Sequence, residues 1–214
     1  MSEALAADIA LGYEPVDAAV RAPRIWIPAG GSHVLPAVGA ALKAALLAAV
    51  LELRPRRDAR VVVLGAEPAR LDARARAALG AQVAFLPAGG GLLSNLNAWE
   101  NIALPTAYHA PGRLRDAAPR VYALLEPFTA DARALLARMP EELTPYERML
   151  AGYARMMLGE PRLVLAEAPP HSLGPAERRQ AESFAAAYLA HCPQGTFVRV
   201  EEGHDEADMA GGRD

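Results

Sequence analysis

The segment Leu143–Pro170, LTPYERMLAGYARMMLGEPRLVLAEAPP, constrains the fold more than any other part of the chain. Thr144 is an N-cap residue, Pro145 suits a first helical position, and Glu147 places a negative charge in the first turn. The helix this predicts runs to about Leu158. After GEPR comes RLVLAEA, apolar almost throughout, and such a strand demands burial on both faces, as in a parallel sheet covered by helices. Further strands are predicted at RVVVLG (Arg60–Gly65), QVAFLP (Gln82–Pro87) and GTFVRVEE, with RIWIPAGG (Arg24–Gly31) as a strand entering a turn. VGAALKAALLAAVLEL, EPARLDARARAAL and GPAERRQAESFAAAYLAHC are predicted helices between them. From Asn95 to Arg138 helical patterns dominate. Strand–helix alternation at both ends around a helical block predicts an α/β domain carrying a helical insertion. The closing GHDEADMAGGRD is expected to be loosely packed.

With 214 residues, 52% of them apolar, the chain is long enough for one sizeable core and is not of a disordered composition. The net charge of −3 argues against a partner held by phosphate neutralisation, so no nucleic-acid partner is expected. Cys192 is the only cysteine, and no Cys/His cluster has zinc spacing. The first residues, MSEALAADIALGYEP, carry acids and no basic segment, unlike a signal peptide. The run VLPAVGAALKAALLAAVLEL is interrupted by Lys43 and reads as a buried helix, not a membrane span. These features point to a cytoplasmic protein.

The order of elements resembles the ATP-binding subunit of an ABC transporter, almost end to end. ARLDARARAALGAQVAFL resembles the approach to that family's Q-loop. GGLLSNLNAWENIALP is similar to the stretch after it, especially in subunits of Mla/Mce-type lipid transport systems. ELTPYERMLAGYARMMLGEPRLVLAEAP resembles the signature helix followed by Walker B. The resemblance implies a P-loop NTPase-like sheet with flanking helices. It implies a single domain over residues 1–214, with a helical subdomain at about 95–150, and ATP and Mg2+ as cofactors.

The motifs that carry this family's chemistry have drifted. The phosphate loop G-x-x-x-x-G-K-[ST] uses glycines for close backbone approach, lysine for charge and a hydroxyl for magnesium. Counted without gaps from IPAG, the corresponding residues are AVGAALKA, Ala37–Ala44. Lys43, the only lysine in the chain, falls on the lysine position. Ala37 and Leu42 replace the glycines, Gly39 is out of register, and Ala44 has no oxygen for a metal. A left-handed backbone costs a residue with a side chain about 1–2 kcal/mol, so a refolded loop is expected before a strained copy. Lys43 is also readable as an ordinary solvated lysine on a helix. Ala88 stands where the resemblance places the Q-loop glutamine. LTPYE replaces LSGGQ: Thr144 and Pro145 start a helix, and Tyr146 fills space that a phosphate would need.

Glu167–Ala168 replaces the Asp-Glu pair of Walker B. Glu167 retains an oxygen for a magnesium-bound water, whereas Ala168 removes the general base, a loss of about 10²–10⁴ in rate. HSLG, His171 to Gly174, lacks the D-loop aspartate. Glu202 takes the ungapped switch-histidine position, and His204 reaches it only if the loop shifts. Tyr13 stands near the place of the adenine-stacking aromatic, though a lone tyrosine is more often a core or rim residue.

By this resemblance the chain is a degenerate, non-hydrolysing subunit. It would lie on the inner face of the cell membrane and dock a permease, with an Mce-type protein in the same system and a second ATP-binding subunit as dimer partner. The docking residues are then Asn95, Asn97, Trp99 and Glu100, with Trp99 also readable as core. Two other readings stand beside it. One is an active or weakly active ATPase in an asymmetric pair, keeping Lys43, Glu167 and His204. The other is a soluble pseudo-ATPase scaffold or regulator.

Overall fold

The computed structural model describes residues 8–16, 24–38, 40–53 and 58–202, which divide into two units. The first unit comprises the described parts of Met1–Ala84, Arg162–Ala168 and Cys192–Asp214. It contains a small antiparallel sheet in which β1 (Ile9–Pro15) lies between β2 (Ile25–Pro28) and β4 (Ala59–Val63). Gly12 sits opposite Trp26, and a Cβ there would overlap the Trp26 ring, so the glycine makes room for the indole.

The larger sheet has the order β3-β7-β6-β5, built from β3 (Gly31–Val38), β7 (Thr196–Glu202), β6 (Leu163–Glu167) and β5 (Val83–Leu86). β3 and β6 both run parallel to β7. Leu163 to Ala166 are buried, as the apolar run requires of an inner strand. Two helices belong to this unit. α1 (Ala40–Leu51) buries Leu46, Ala49 and Val50. α2 (Ala73–Gly80) is capped by the Asp72 carboxylate, which accepts from the Ala75 N–H at 2.7 Å.

β1 and β3 are not among the strands that the sequence predicts. In β3 the obstacle is Pro36, which ordinarily punctuates a strand because it lacks a donor. Here the pairing with β7 shifts register between Leu35 and Val38, and β3 ends the sheet order, so the missing N–H interrupts no inner ladder. The predicted helix from Val38 accordingly begins only at Ala40.

The second unit comprises Phe85–Pro161 and Pro169–His191. Its helices are α3 (Ala98–His109), α4 (Ala117–Leu125), α5 (Ala132–Ala137), α6 (Pro145–Leu158), α7 (Pro175–Glu182) and α8 (Phe184–His191). The single helix predicted from Gly174 to Cys192 is thus two, broken at Ser183, whose hydroxyl donates to the Gln180 carbonyl at 2.7 Å. α6 is the centre of this unit, with Met149 to Ala154 all buried. Around it Phe128, Tyr146, Tyr153 and Phe184 form an aromatic cluster. The buried Tyr188 hydroxyl donates to the Pro161 carbonyl at 2.7 Å, as a buried phenol must find a partner. No helix among the described residues is long and apolar enough to cross a membrane.

Candidate functional site

Two strand ends of the first unit bring the charged candidates together. β6 ends at Glu167. β3 ends at Val38 and α1 begins at Ala40, so one residue, Gly39, separates strand from helix, and it lies outside the described residues. Lys43 is therefore the fourth residue of α1. Its Nζ lies 2.7 Å from Glu167 Oε1, with the two side chains only 14% and 22% exposed. The two positions matched to the phosphate-loop lysine and the Walker B carboxylate thus meet as a largely covered ion pair. Lys43 is on a helix, as one reading held, but paired and not simply solvated.

A cradle for phosphate needs a run of backbone N–H groups pointing inward between strand and helix. Here the residues matched to that loop are otherwise assigned. Ala37 and Val38 belong to β3, with Val38 in register with Glu202 of β7, and Ala40–Lys43 are the first residues of α1. Alanine's helix propensity accounts for the early start. Ala44 is exposed and carries no ligating atom. Ala168 follows Glu167 and its N–H donates to the Val200 carbonyl at 3.1 Å. Among the described residues no three His, Cys, Asp or Glu side chains group so as to hold a metal ion. The residues present do not fit Mg-ATP: the ammonium is engaged by Glu167, the two glycine positions of the loop are Ala37 and Leu42, and hydroxyl and general base are both alanines.

The remaining candidates sit as follows. Tyr13 is only 5% exposed within β1, which leaves its ring no free face for a base. The buried ring fits the core reading of Tyr13 and not the stacking one, in a strand buried from Ala10 to Tyr13. Trp26, 36% exposed on β2, is the aromatic that this small sheet presents. His204 lies outside the described residues.

Ala88 and Thr144 belong to the second unit. Thr144 forms a full capping box at the start of α6: its hydroxyl accepts from the Glu147 N–H at 3.2 Å, and the Glu147 carboxylate accepts from the Thr144 N–H at 2.9 Å. Burial pushes the Glu147 carboxyl up, but Arg138 and the Thr144 bonds outweigh it and hold the group below its usual range. The amides that an anion would use at this helix start are thus partly satisfied from within. Tyr146, next along α6, has its hydroxyl on the Phe128 carbonyl at 3.2 Å, and burial, aided by the Glu177 charge, raises its pKa to about 12.

Among the docking candidates, Asn95 is exposed and Trp99 half-buried. Asn97 and Glu100 cap α3 reciprocally: Asn97 Oδ1 accepts from the Glu100 N–H at 2.8 Å, and Glu100 Oε2 from the Asn97 N–H at 2.9 Å. Sequence reasoning passed over Asn101, fully buried beside them. Its amide donates to the carbonyls of Leu93, Leu96 and Asn97 and accepts from the Leu93 N–H, fixing the loop 93–97. A polar residue on the buried side of an amphipathic helix was the available signal.

It also missed a contact between Gly90 and α6. Gly90 and Gly91 have φ of +77° and +62°, and Gly90 packs against the α6 backbone at Arg148 and Gly152. Arg155 Nη2 donates to the Gly90 carbonyl at 2.9 Å and Nη1 to the Gly91 carbonyl at 2.7 Å, while burial lowers the pKa of the guanidinium. Ala88 lies in the turn that this contact secures, closed by Gly90 N–H to the Pro87 carbonyl at 2.8 Å.

Comparison with solved structures places this fold. CbiO1 of Clostridium perfringens, part of the ABC transporter complex cbiONQ, is similar with a TM-score of 0.70 at 11% identity, over 92% of this chain and 79% of that one. The ATP-binding cassette MJ0796, in a dimeric post-hydrolysis state bound to ADP and Pi, gives 0.65 at 15% identity, over 92% and 89%. An ATP-binding subunit of an ABC transporter gives 0.66 at 16% identity, over 90% and 79%. No family model and no curated protein matches the sequence. The chain has the fold of ATP-binding cassette subunits.

Proposed function

We propose that this chain is a cassette-fold subunit that docks a membrane permease from the cytoplasmic face and does not hydrolyse ATP. The observation that carries the reading is the Lys43–Glu167 ion pair at 2.7 Å, made where β3 runs to Val38 and α1 starts at Ala40. Phosphoryl transfer depends on positioning and charge stabilisation acting together, and the alanines at 44 and 168 remove two further parts. The solved structures similar to it include a part of a transporter complex and a dimeric cassette, which supports a permease and a second cassette subunit as partners. The likeness of GGLLSNLNAWENIALP to Mla/Mce-type subunits favours lipid as the transported class.

Mg-ATP titrated calorimetrically to millimolar concentration is expected to give no saturable heat. A micromolar dissociation constant, about 8 kcal/mol of binding free energy, contradicts this reading and favours the active asymmetric pair.

Docking is assigned to the surface around Asn95–Pro105, which includes Leu104, and is continued along α3 by Tyr108, the two being 41% and 81% exposed. These two lie four residues apart on one helix face. Asn97 and Glu100 are poor probes because their loss also uncaps α3, at about 1 kcal/mol. Pull-down from native membranes is expected to recover a multi-span membrane protein with the unmodified chain and to lose it with Leu104→Glu/Tyr108→Glu. Recovery of none with the unmodified chain favours the soluble scaffold.

A further inference from the structure

We propose that Glu167 is a tethered substitute for phosphate: its carboxylate occupies Lys43 and keeps free polyphosphate from the site. The inference rests on the reading of the chain as a subunit that works without nucleotide, and deepens it by naming what fills the anion position. Three observations support it. The pair is direct, at 2.7 Å, and both side chains are largely covered. Glu167 is positioned by the sheet itself, as the last residue of β6 beside β7, with Leu165 and Ala166 in register with Val198 and Arg199. Lys43 is positioned by the first turn of α1, whose start one residue after β3 brings the ammonium to the strand end. A carboxylate held on the scaffold has an effective concentration that a dissolved anion must exceed to displace it. Glutamate also reaches one methylene further than the aspartate that the resemblance places here. The carboxylate therefore serves the ammonium as a permanent counter-ion, where an intact cassette leaves its lysine to an exchangeable one.

Lys43 is the only lysine in the chain, so an amine reagent reports on it with the N-terminal amine as internal reference. The test is reductive methylation of the whole protein, followed by peptide mapping, with and without inorganic tripolyphosphate. An amine must leave its ion pair before it attacks the reagent. Glu167→Gln is expected to speed labelling of Lys43 about fivefold. Millimolar tripolyphosphate is expected to slow it again in the variant and to leave the unmodified protein unaffected. A folded Glu167→Gln protein whose Lys43 labels no faster overturns the proposal and leaves the functional reading standing, as does equal protection by tripolyphosphate in both proteins. Mg-ATP binding by the unmodified chain instead overturns the functional reading. If Glu167→Gln does not fold, Glu167→Asp gives the same readout. Its shorter reach predicts a rate above that of the unmodified chain, and an unchanged rate rejects the proposal.

Discussion

Phe184→Ala is expected to lower the melting temperature by about 6–20 °C, corresponding to about 3–5 kcal/mol for truncating a buried phenylalanine in a chain of this size. Phe184 is 1% exposed at the start of α8. Its ring stacks on Tyr153 at 4.2 Å and 17°, meets Phe128 edge-on at 5.1 Å and 85°, and faces Tyr146 at 6.5 Å. One side chain therefore joins three others, and its removal leaves a cavity lined by rings too rigid to collapse into it. Near-ultraviolet dichroism from the tyrosines should weaken in parallel. A fall of only a degree or two in differential scanning calorimetry would show that the cluster is not the centre of the second unit.

Gly90→Ala should be nearly as damaging. A left-handed φ of +77° costs a side-chain-bearing residue about 1–2 kcal/mol, and forcing a methyl into packed structure adds about 1–3 kcal/mol. The added Cβ would fall on the Arg148 carbonyl, which belongs to the α6 backbone and has no rotamer to give. Gly152 is the matching half, since a Cβ there would lie 2.5 Å from the Gly90 oxygen. Gly89→Ala is the control: a methyl there would meet nothing within 4 Å, and the residue's φ is not left-handed. That variant should change stability by about 0.5 kcal/mol or less. Equal melting temperatures for the two alanine variants would contradict the close approach.

β6 was legible because burial on both faces needs an unbroken apolar run, and RLVLAEA supplies one. The start of α6 was legible because Thr144, Pro145 and Glu147 are local signals whose bonds close within one turn. β3 was not, because Pro36 and the alanines after it outweighed a strand whose stability comes from β7, distant in sequence. The break at Ser183 was hidden in a composition that favours helix on both sides. Lys43 and Glu167 were each singled out, but their pairing joins residues 124 positions apart by numbering and depends on where α1 starts. The ungapped match of Ala37–Ala44 to a phosphate loop rests on spacing alone, and strand pairing and helix propensity divide those residues between β3 and α1.

A pivot needs backbone torsions that are free to turn. The crest of the turn at residues 87–91 has none to spare, with both glycine carbonyls gripped by one guanidinium and the chain seated on α6. The turn is thus anchored to the helix at two carbonyls and one backbone contact. Tyr153, stacked on Phe184, directly follows Gly152, so the aromatic stack begins at the same point of the helix on which the turn is seated.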